Sequence, residues 1–514
     1  MKHILRTATA LVCSLALLAG CGEGDINKQA ESSGSPASEK VNSVVKENES
    51  ETSAKEPKDF MTVDESKEYQ TMTGFGASGC WWAQYVGGWD KPYGDDTIPV
   101  REQIIKWLYS KDEGIGLNIY RYNVGGGSAD SMLGDIGDIH RRAHSFIGTD
   151  GKYDWDKDEK AVWMMKKAVE YGADHVIFFC NSPLDDLTTN GYCHVTEGEK
   201  DNLPEENYDD FAKYVCDVAE HFINEGVPVK EISPINEPQW DWFNGQEGCH
   251  YEPEAVVKVL KAFVKEVTSR PALKDVRITT PESGEWKGRT REYVNAVLSD
   301  KELNEYFNQI DNHSYWSSAA DKQAFKNWFD KKFPGKSLVT SEWCEMVNGR
   351  DWTMDSAYNM SDVIWEDLTI LDVISWQNWV ACADGDYRDG LIYLNVDKKA
   401  AKPNRRLWEF GNYTKYIRPG FVRVDCSSDS KELTALHPVA FNGNDENGER
   451  LVIVLTNRGD ETSIRLDTGN TYKTYHSAVT SQDVDLAESD KADVPSDNTY
   501  KIPAESIVTL ILEK

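Results

Sequence analysis

From Phe60 to about residue 411 the chain repeats one pattern eight times: a short apolar run, then a longer segment with apolar residues three and four apart. The short runs lie near 72–79, 117–124, 174–180, 231–236, 276–281, 308–315, 337–342 and 372–379. Helical patterns fall between them. Pro99-VREQIIKWLYS, Pro204-EENYDDFAKYVCDVAEHF and Pro253-EAVVKVLKAFVKEV open on a proline, which suits a first helical turn. Asp158-EKAVWMMKKAVEYG, Arg291-EYVNAVL, Lys322-QAFKNWF, a stretch around 356–370 and Asn404-RRLWEFGNY complete the set. Eight strands, each followed by a helix, predict an α/β fold, a (β/α)8 TIM barrel over residues 74–411. An open, doubly wound sheet has fewer alternations and usually a Gly-rich first turn.

After residue 412 the pattern changes. Glu449-RLVIVLTNRG, Thr462-SIRLDTG and Ser506-IVTLILEK read as alternating apolar and polar strands with Gly and Asn turns between them. Residues 412–514 are therefore expected to form a β-sandwich. The segment 59–73 also reads as a strand, one without a local partner.

The front of the chain carries Lys2, His3 and Arg6, then the apolar run Leu11 to Leu18. That run is shorter than the roughly 20 residues a membrane span needs. It ends in Leu18-Ala19-Gly20-Cys21, which resembles a bacterial lipoprotein box. Residues 1–20 are thus expected to be a signal peptide and Cys21 the lipidated residue. Residues 21–58, without an aromatic side chain, are expected to be a disordered tether of roughly 35 Å end to end. The protein would then sit outside the cell, lipid-anchored to the bacterial surface, touching the membrane only through that anchor. A net charge of −31 argues against nucleic acid as a partner. A monomer is expected.

The fourth strand candidate ends in Ser233-Pro-Ile-Asn-Glu-Pro-Gln-Trp240 and the seventh in Val339-Thr-Ser-Glu-Trp343. In such barrels the C-terminal strand ends form the catalytic rim, so Glu237 and Glu342 face each other there. Paired carboxyl groups are what glycosidic cleavage needs, one to protonate the leaving oxygen and one to attack the anomeric carbon. Taken singly, either glutamate is weak evidence and reads first as a strand-end turn residue; the pair on strands four and seven carries the argument. Other motifs fall away. Gly125-Gly-Gly-Ser128 lacks the ending of a phosphate loop, and Asp154, Asp156 and Asp158 lack the Gly and Glu of a calcium loop. No cofactor and no catalytic metal are expected.

Seven segments together carry a resemblance to glycoside hydrolase family 30: Gly74-FGASGCWW, Ile119-YRYNVGGGS, Ile232-SPINEPQWDW, Gly245-QEGC, Asp311-NHSYW, Thr340-SEWC and Tyr416-IRPGFVRV. The resemblance implies a retaining hydrolase of polysaccharide or oligosaccharide, with Glu237 as general acid/base and Glu342 as nucleophile. It implies Arg121 beside the nucleophile, His313 and Tyr315 as donors from strand six, and Asn236 on the sugar 2-hydroxyl. It also implies that the β-module is built from both chain ends. Within the family the GASGCWW and NEPQW segments are most similar to those of the β-1,6-galactanases. A xylanase, or an exo-acting enzyme releasing a disaccharide, is the alternative specificity. A glycan-capture lipoprotein is the alternative of another class. Neighbouring negative charge from Glu342 is expected to raise the pKa of Glu237 and so keep it protonated. Trp240 and either Trp376 or Trp379 are expected as sugar platforms. Asp185 and Asp186, where relatives place aromatics or Met, are expected to make one edge of the cleft acidic.

Overall fold

The computed structural model describes residues 60–131, 136–195, 202–243 and 245–514. The expected signal peptide, the lipidation site Cys21 and the tether lie outside the described residues. Among those described, no helix is long and apolar enough to cross a membrane.

The chain opens with β1 (Phe60–Thr71), followed by β2 (Gly74–Ser78), β3 (Ile119–Asn123), β4 (His175–Phe179), β5 (Val229–Ser233), β6 (Arg277–Ile278), β7 (Gln309–His313), β8 (Ser337–Trp343) and β9 (Val373–Asn378). Strands β2 to β9 pair in parallel in the order β6-β5-β4-β3-β2-β9-β8-β7. The remaining seam joins the chain beyond β6 to β7, through Asp311 N to Thr280 O, Glu282 N to Asp311 O and His313 N to Ser283 O, each 2.9 Å. These bonds close the barrel. The strand expected over 276–281 is regular only at Arg277–Ile278; beyond it Pro281, which has no N–H to give, meets Asp311 of β7 in a single isolated bridge.

A helix follows each barrel strand: Val100–Tyr109, Glu159–Tyr171, Tyr208–Asn224, Pro253–Ser269, Gly288–Ser299, Ala319–Lys332, Met354–Thr369 and Arg405–Thr414. Their apolar stripes face the sheet. In Pro253–Ser269, Val256, Val259, Leu260, Phe263, Val264 and Val267 are buried, at the three- and four-residue spacing read from the sequence.

After a small sheet of β10 (Cys382–Ala383), β11 (Ile392–Asn395) and β12 (Ala400–Pro403) come β13 (Val422–Ser427), β14 (Val439–Asp445), β15 (Gly448–Asn457), β16 (Thr462–Thr468), β17 (Thr474–Ser481), β18 (Val484–Glu488), β19 (Ala492–Asp493), β20 (Thr499–Ile502) and β21 (Ser506–Glu513). They hydrogen-bond in the order β18-β17-β21-β15-β14-β13-β1-β16-β20, with β19 on β17. This sheet folds over itself. Ile464 and Leu466 of β16 and Tyr500 and Ile502 of β20 share a core with Leu451, Ile453 and Leu455 of β15 and with Val508, Leu510 and Leu512 of β21. The hinge of the sandwich is β1, antiparallel to β13 on one side and parallel to β16 on the other.

The alternation expected in β15 and β21 is absent. Leu451, Ile453 and Leu455 face the sandwich core, whereas Val452 and Val454 face the barrel with Ile507 and Ile511. A strand lying between two cores is apolar on both faces, hence the unbroken Leu-Val-Ile-Val-Leu run. At this junction Asn412 Nδ2 donates to Ala478 O at 3.1 Å and to Thr509 Oγ1 at 3.0 Å.

Deleting residues 60–71 would strip β13 and β16 of their shared partner and leave two bare sheet edges. The truncated chain is expected to aggregate or elute as misfolded material in size-exclusion chromatography. A soluble product with unchanged circular dichroism would show that the sandwich does not depend on β1.

Candidate active site

At the C-terminal ends of the barrel strands lie five buried ionisable side chains. Arg121 comes from β3, Glu237 from the turn after β5, Glu282 from the segment after β6, His313 from β7 and Glu342 from β8; none is more than 7% exposed. Removing so many charges from water is costly unless they neutralise one another, and their contacts do this. Glu342 accepts from Arg121 Nη1 at 2.5 Å and from the Tyr315 hydroxyl at 2.9 Å. His313 Nδ1 lies 3.2 Å from Glu237 Oε1 and 3.5 Å from Glu342 Oε1, and its Nε2 lies 3.4 Å from Glu282 Oε2. Arg121 also donates to Asn236 Oδ1 at 3.4 Å and lies over the Phe179 ring, 4.0 Å from its centre.

The protonation pattern follows from these neighbours. Burial alone would lower the His313 pKa, but the negative charge of Glu342 and the bonds to Glu237 and Glu282 raise it to about 9. Burial alone would raise Glu282, but His313, Arg121 and the Ser341 hydroxyl bring it down to about 2. Glu237 is raised above its ordinary value. Burial is the first cause, ahead of the Glu342 charge on which the sequence reading relied, and the two together outweigh His313. Two cations thus stand among three carboxyl groups, and the proton that balances the set belongs on Glu237.

Atoms of Glu237, His313 and Glu342 lie within 4.8 Å of one another, a spacing that could also hold a metal ion. Both oxygens of Glu342 already have donors, however, Arg121 on one and the Tyr315 hydroxyl on the other. The arrangement suits proton transfer and nucleophilic attack.

Backbone geometry helps to aim these groups. Glu237, Glu282 and Trp316 have φ of 43°, 55° and 45°, a region costing a side-chain-bearing residue about 1–3 kcal/mol. Glu237 N is held by Glu282 O at 2.7 Å, and Trp242 Nε1 donates to Glu237 O at 3.1 Å. Further along the same loop, buried Glu247 accepts from Gly126 N, Ser128 N and Ser128 Oγ at 3.0, 3.1 and 2.6 Å. The Gly125–Ser128 turn therefore cradles a carboxyl group of this chain. A Cβ on Gly126 would lie 2.5 Å from Pro183 O.

Above the cluster opens a cavity of about 560 Å³, whose lining includes Trp81, Asn236, Glu237, Tyr315, Glu342 and Trp379. Trp379 meets Trp81 edge to face at 5.2 Å. Trp376 does not reach the cavity. It is fully buried behind the wall against Phe410, and its Nε1 donates to Asp367 at 2.9 Å. Strand side chains alternate, so residues three apart point to opposite faces. Trp240 stands outside the cavity rim, 44% exposed. Asp185 and Asp186 are not among the described lining residues. The acidic residues of the lining are instead Asp138, Asp384, Asp386 and Asp389, of which Asp138 lies 3.6 Å from Arg141 and Asp384 3.0 Å from His140. The sequence reading missed Glu282, whose only signal was a carboxylate just past the fifth strand candidate, the same placement that singled out Glu237.

Replacing Glu282 with Gln removes one of the anions that hold His313 protonated. The His313 pKa is expected to fall from about 9 toward its ordinary 6.5, read by NMR titration of the imidazole. An unmoved titration would show that Glu282 does not set the charge of the cluster.

Comparison with known proteins gives a consistent picture. Over 438 residues the chain is 23% identical to an endo-beta-1,6-galactanase of Hypocrea rufa, covering 79% of this chain and 83% of the relative. It is 21% identical over 367 residues to a glucuronoxylanase of Bacillus subtilis, covering 69% of this chain and 77% of the relative. The crystal structure of a conserved exported protein from Bacteroides fragilis superposes with a TM-score of 0.77 at 24% identity, covering 88% of this chain and all of that one. The O-glycosyl hydrolase family 30 model matches residues 58–393, most of the chain and the whole of the β2–β9 barrel with its rim. The chain belongs to glycoside hydrolase family 30.

Proposed function

We propose that this hydrolase cleaves β-1,6-linked galactan, such as arabinogalactan side chains, by double displacement. Glu342 is the nucleophile, and Glu237 is the general acid and then the general base. The observation that carries this reading is the pair of carboxyl groups brought within 4.8 Å of a shared imidazole, with the proton affinity raised on Glu237. Such close spacing leaves no room for a water between carboxylate and sugar, which favours attack by the carboxylate itself and retention of configuration.

In the first step the proton on Glu237 passes to the glycosidic oxygen as Glu342 attacks the anomeric carbon. Arg121 and Tyr315 hold the attacking carboxylate by one oxygen each, which fixes its orientation. Asn236, itself held by Arg121, is placed to meet the sugar 2-hydroxyl. In the second step Glu237, now ionised, takes a proton from water, and the water oxygen displaces Glu342 from the anomeric carbon. Protonated His313, between the two carboxyl groups, stabilises the charge that moves from one to the other.

The galactanase relative supports the substrate, as does the uncharged nature of galactan. The cavity lining carries Asp138, Asp384, Asp386 and Asp389 beside Arg141 and His140, and this excess of acidic groups favours a neutral sugar over a uronate. The glucuronoxylanase relative is the reason to test xylan in parallel. Anchorage through Cys21, read from the sequence, would keep the enzyme at the cell surface, where a polymer too large to enter is met.

Residues 59–514 incubated with de-arabinosylated arabinogalactan are expected to release galacto-oligosaccharides, and to release nothing from glucuronoxylan. Products from xylan alone would move the substrate assignment, and no new reducing ends from either would overturn the galactanase proposal. Glu342→Gln is expected to lower kcat by at least about a thousandfold while glycan affinity, measured by calorimetry, is kept. Loss of binding together with turnover would count against Glu342 as nucleophile. The alkaline limb of the kcat/KM profile should follow Glu237. Its proton is lost as pH rises through a pKa above the ordinary carboxylate value of 4.5, so activity falls on that side. In Glu237→Gln that limb should disappear.

A further inference from the structure

One buried carboxyl group beside the cleft takes no part in the two-carboxylate chemistry. Glu247 has no exposed surface, yet it sits in the loop that carries the acid/base. The tip of that loop stands in solvent, with Asp241, Phe243 and Gly245 exposed. Its base is held. Tyr251 N donates to Pro238 O at 3.0 Å, which closes the loop on itself, and Gly248 N and Val195 N give bonds of 2.8 Å to Cys193 O and Trp242 O. Glu247 reaches out of the loop to the turn after β3, where Gly126 N, Ser128 N and the Ser128 hydroxyl all donate to it. Ser128 Oγ in turn accepts from Ala143 N at 3.0 Å. A carboxylate meets three donors with acceptors alone, whereas a glutamine would turn an NH2 group toward an N–H.

From Glu247 the contacts lead to the acid/base. Gly248 lies against the Trp242 ring, and a Cβ there would be 2.2 Å from it. The ring so seated donates from Nε1 to Glu237 O at 3.1 Å. Glu237 depends on such holds, because its φ of 43° lies in the left-handed region that a residue with a side chain seldom adopts. Its N is bound to Glu282 O at 2.7 Å. With both sides of the residue fixed, the direction of the side chain is fixed too. Gly284 leaves that side chain its room: a Cβ there would lie 3.1 Å from Glu237 Oε1, 2.7 Å from the Gln239 amide and 3.3 Å from the Trp316 ring.

We propose that Glu247 is a positioning residue for the acid/base, and that by seating Gly248 under Trp242 it sets the direction in which Glu237 gives and takes its proton. The inference rests on the roles given above to Glu237 and Glu342. Proton transfer to the glycosidic oxygen needs a short, aligned path, so a loosened loop weakens it. The nucleophile is held by Arg121 and Tyr315, from other strands, and does not feel the loop. Loss of Glu247 therefore impairs the acid and base and spares the attack.

The two are separated by the leaving group. A strongly acidic phenol departs as its anion when Glu342 attacks, whereas a weakly acidic one must take the Glu237 proton as its bond to the anomeric carbon breaks. Phenol release from 2,4-dinitrophenyl, 4-nitrophenyl and 4-methylphenyl β-1,6-galactobiosides is measured for the wild type, Glu247→Gln, Ser128→Ala and Trp242→Phe. In Glu247→Gln, kcat/KM for the methylphenyl glycoside is expected to fall at least about tenfold and that for the dinitrophenyl glycoside to stay within about twofold. On the dinitrophenyl glycoside kcat and KM should fall together, because the intermediate waits for a poorly aimed base. Trp242→Phe, which loses the indole N–H and keeps a ring, should show the same pattern, and Ser128→Ala a weaker one. These two carry the test if Glu247→Gln does not fold. A merely structural role lowers kcat/KM by one factor across the series and leaves KM unmoved. That uniform loss in Glu247→Gln and Trp242→Phe, or no change in either, overturns the positioning role and leaves the roles of Glu237 and Glu342 intact. A wild type that releases no phenol from any of the three overturns the galactan reading on which the series is built, and this inference with it.

Discussion

The buried charge cluster at the mouth of the barrel is the constraint around which the rest is arranged. Arg121, Glu237, Glu282, His313 and Glu342 have almost no access to water, so each needs a partner of opposite charge or must give up its own. Arg121 on Glu342 and His313 on Glu282 meet that need, and Glu237 meets it by keeping a proton. The same electrostatics that make the cluster tolerable in the interior thus keep a proton on Glu237 beside a carboxyl group paired with Arg121. Five strands or strand extensions contribute one group each, so the geometry holds only while the barrel is closed.

Closure in turn depends on the weakest seam. β6 is two residues long, and the chain beyond it bonds to β7 in an irregular run that carries Glu282, Ser283 and Gly284. Departure from a regular strand is what turns the Glu282 carboxylate toward Arg121 and lets Gly284 admit Gln239 and Trp316. The rim is further fixed by Glu247, which ties the loop after Glu237 to the turn after β3. Behind the barrel, the two-faced strands β15 and β21 join its helices to the sandwich. The catalytic barrel therefore rests on a support assembled from both ends of the described chain.

Much of this was legible in the sequence because it rests on periodicity. Apolar residues three and four apart marked each of the eight helices, and short apolar runs marked the strands between them. Strand ends then placed Glu237 and Glu342 on one rim without any knowledge of distance. Where the reading went astray, two environments had been taken for one. The run Leu451 to Leu455 was read as half-buried when it has a core on either side, and Glu282, just past the fifth strand candidate, was passed over.

Local chemistry along the chain determined the fold class and the two carboxyl positions, since hydrophobic spacing and turn residues act between near neighbours. It could not choose between Trp376 and Trp379, because which face of a strand looks inward is settled by the helices packed outside it. It could not rank Glu282 above any other acidic residue, because a pKa depends on charges that the fold brings together from distant parts of the chain. Which glutamate keeps its proton was likewise decided only in three dimensions, where burial, Arg121 and His313 act on the same few ångströms of space.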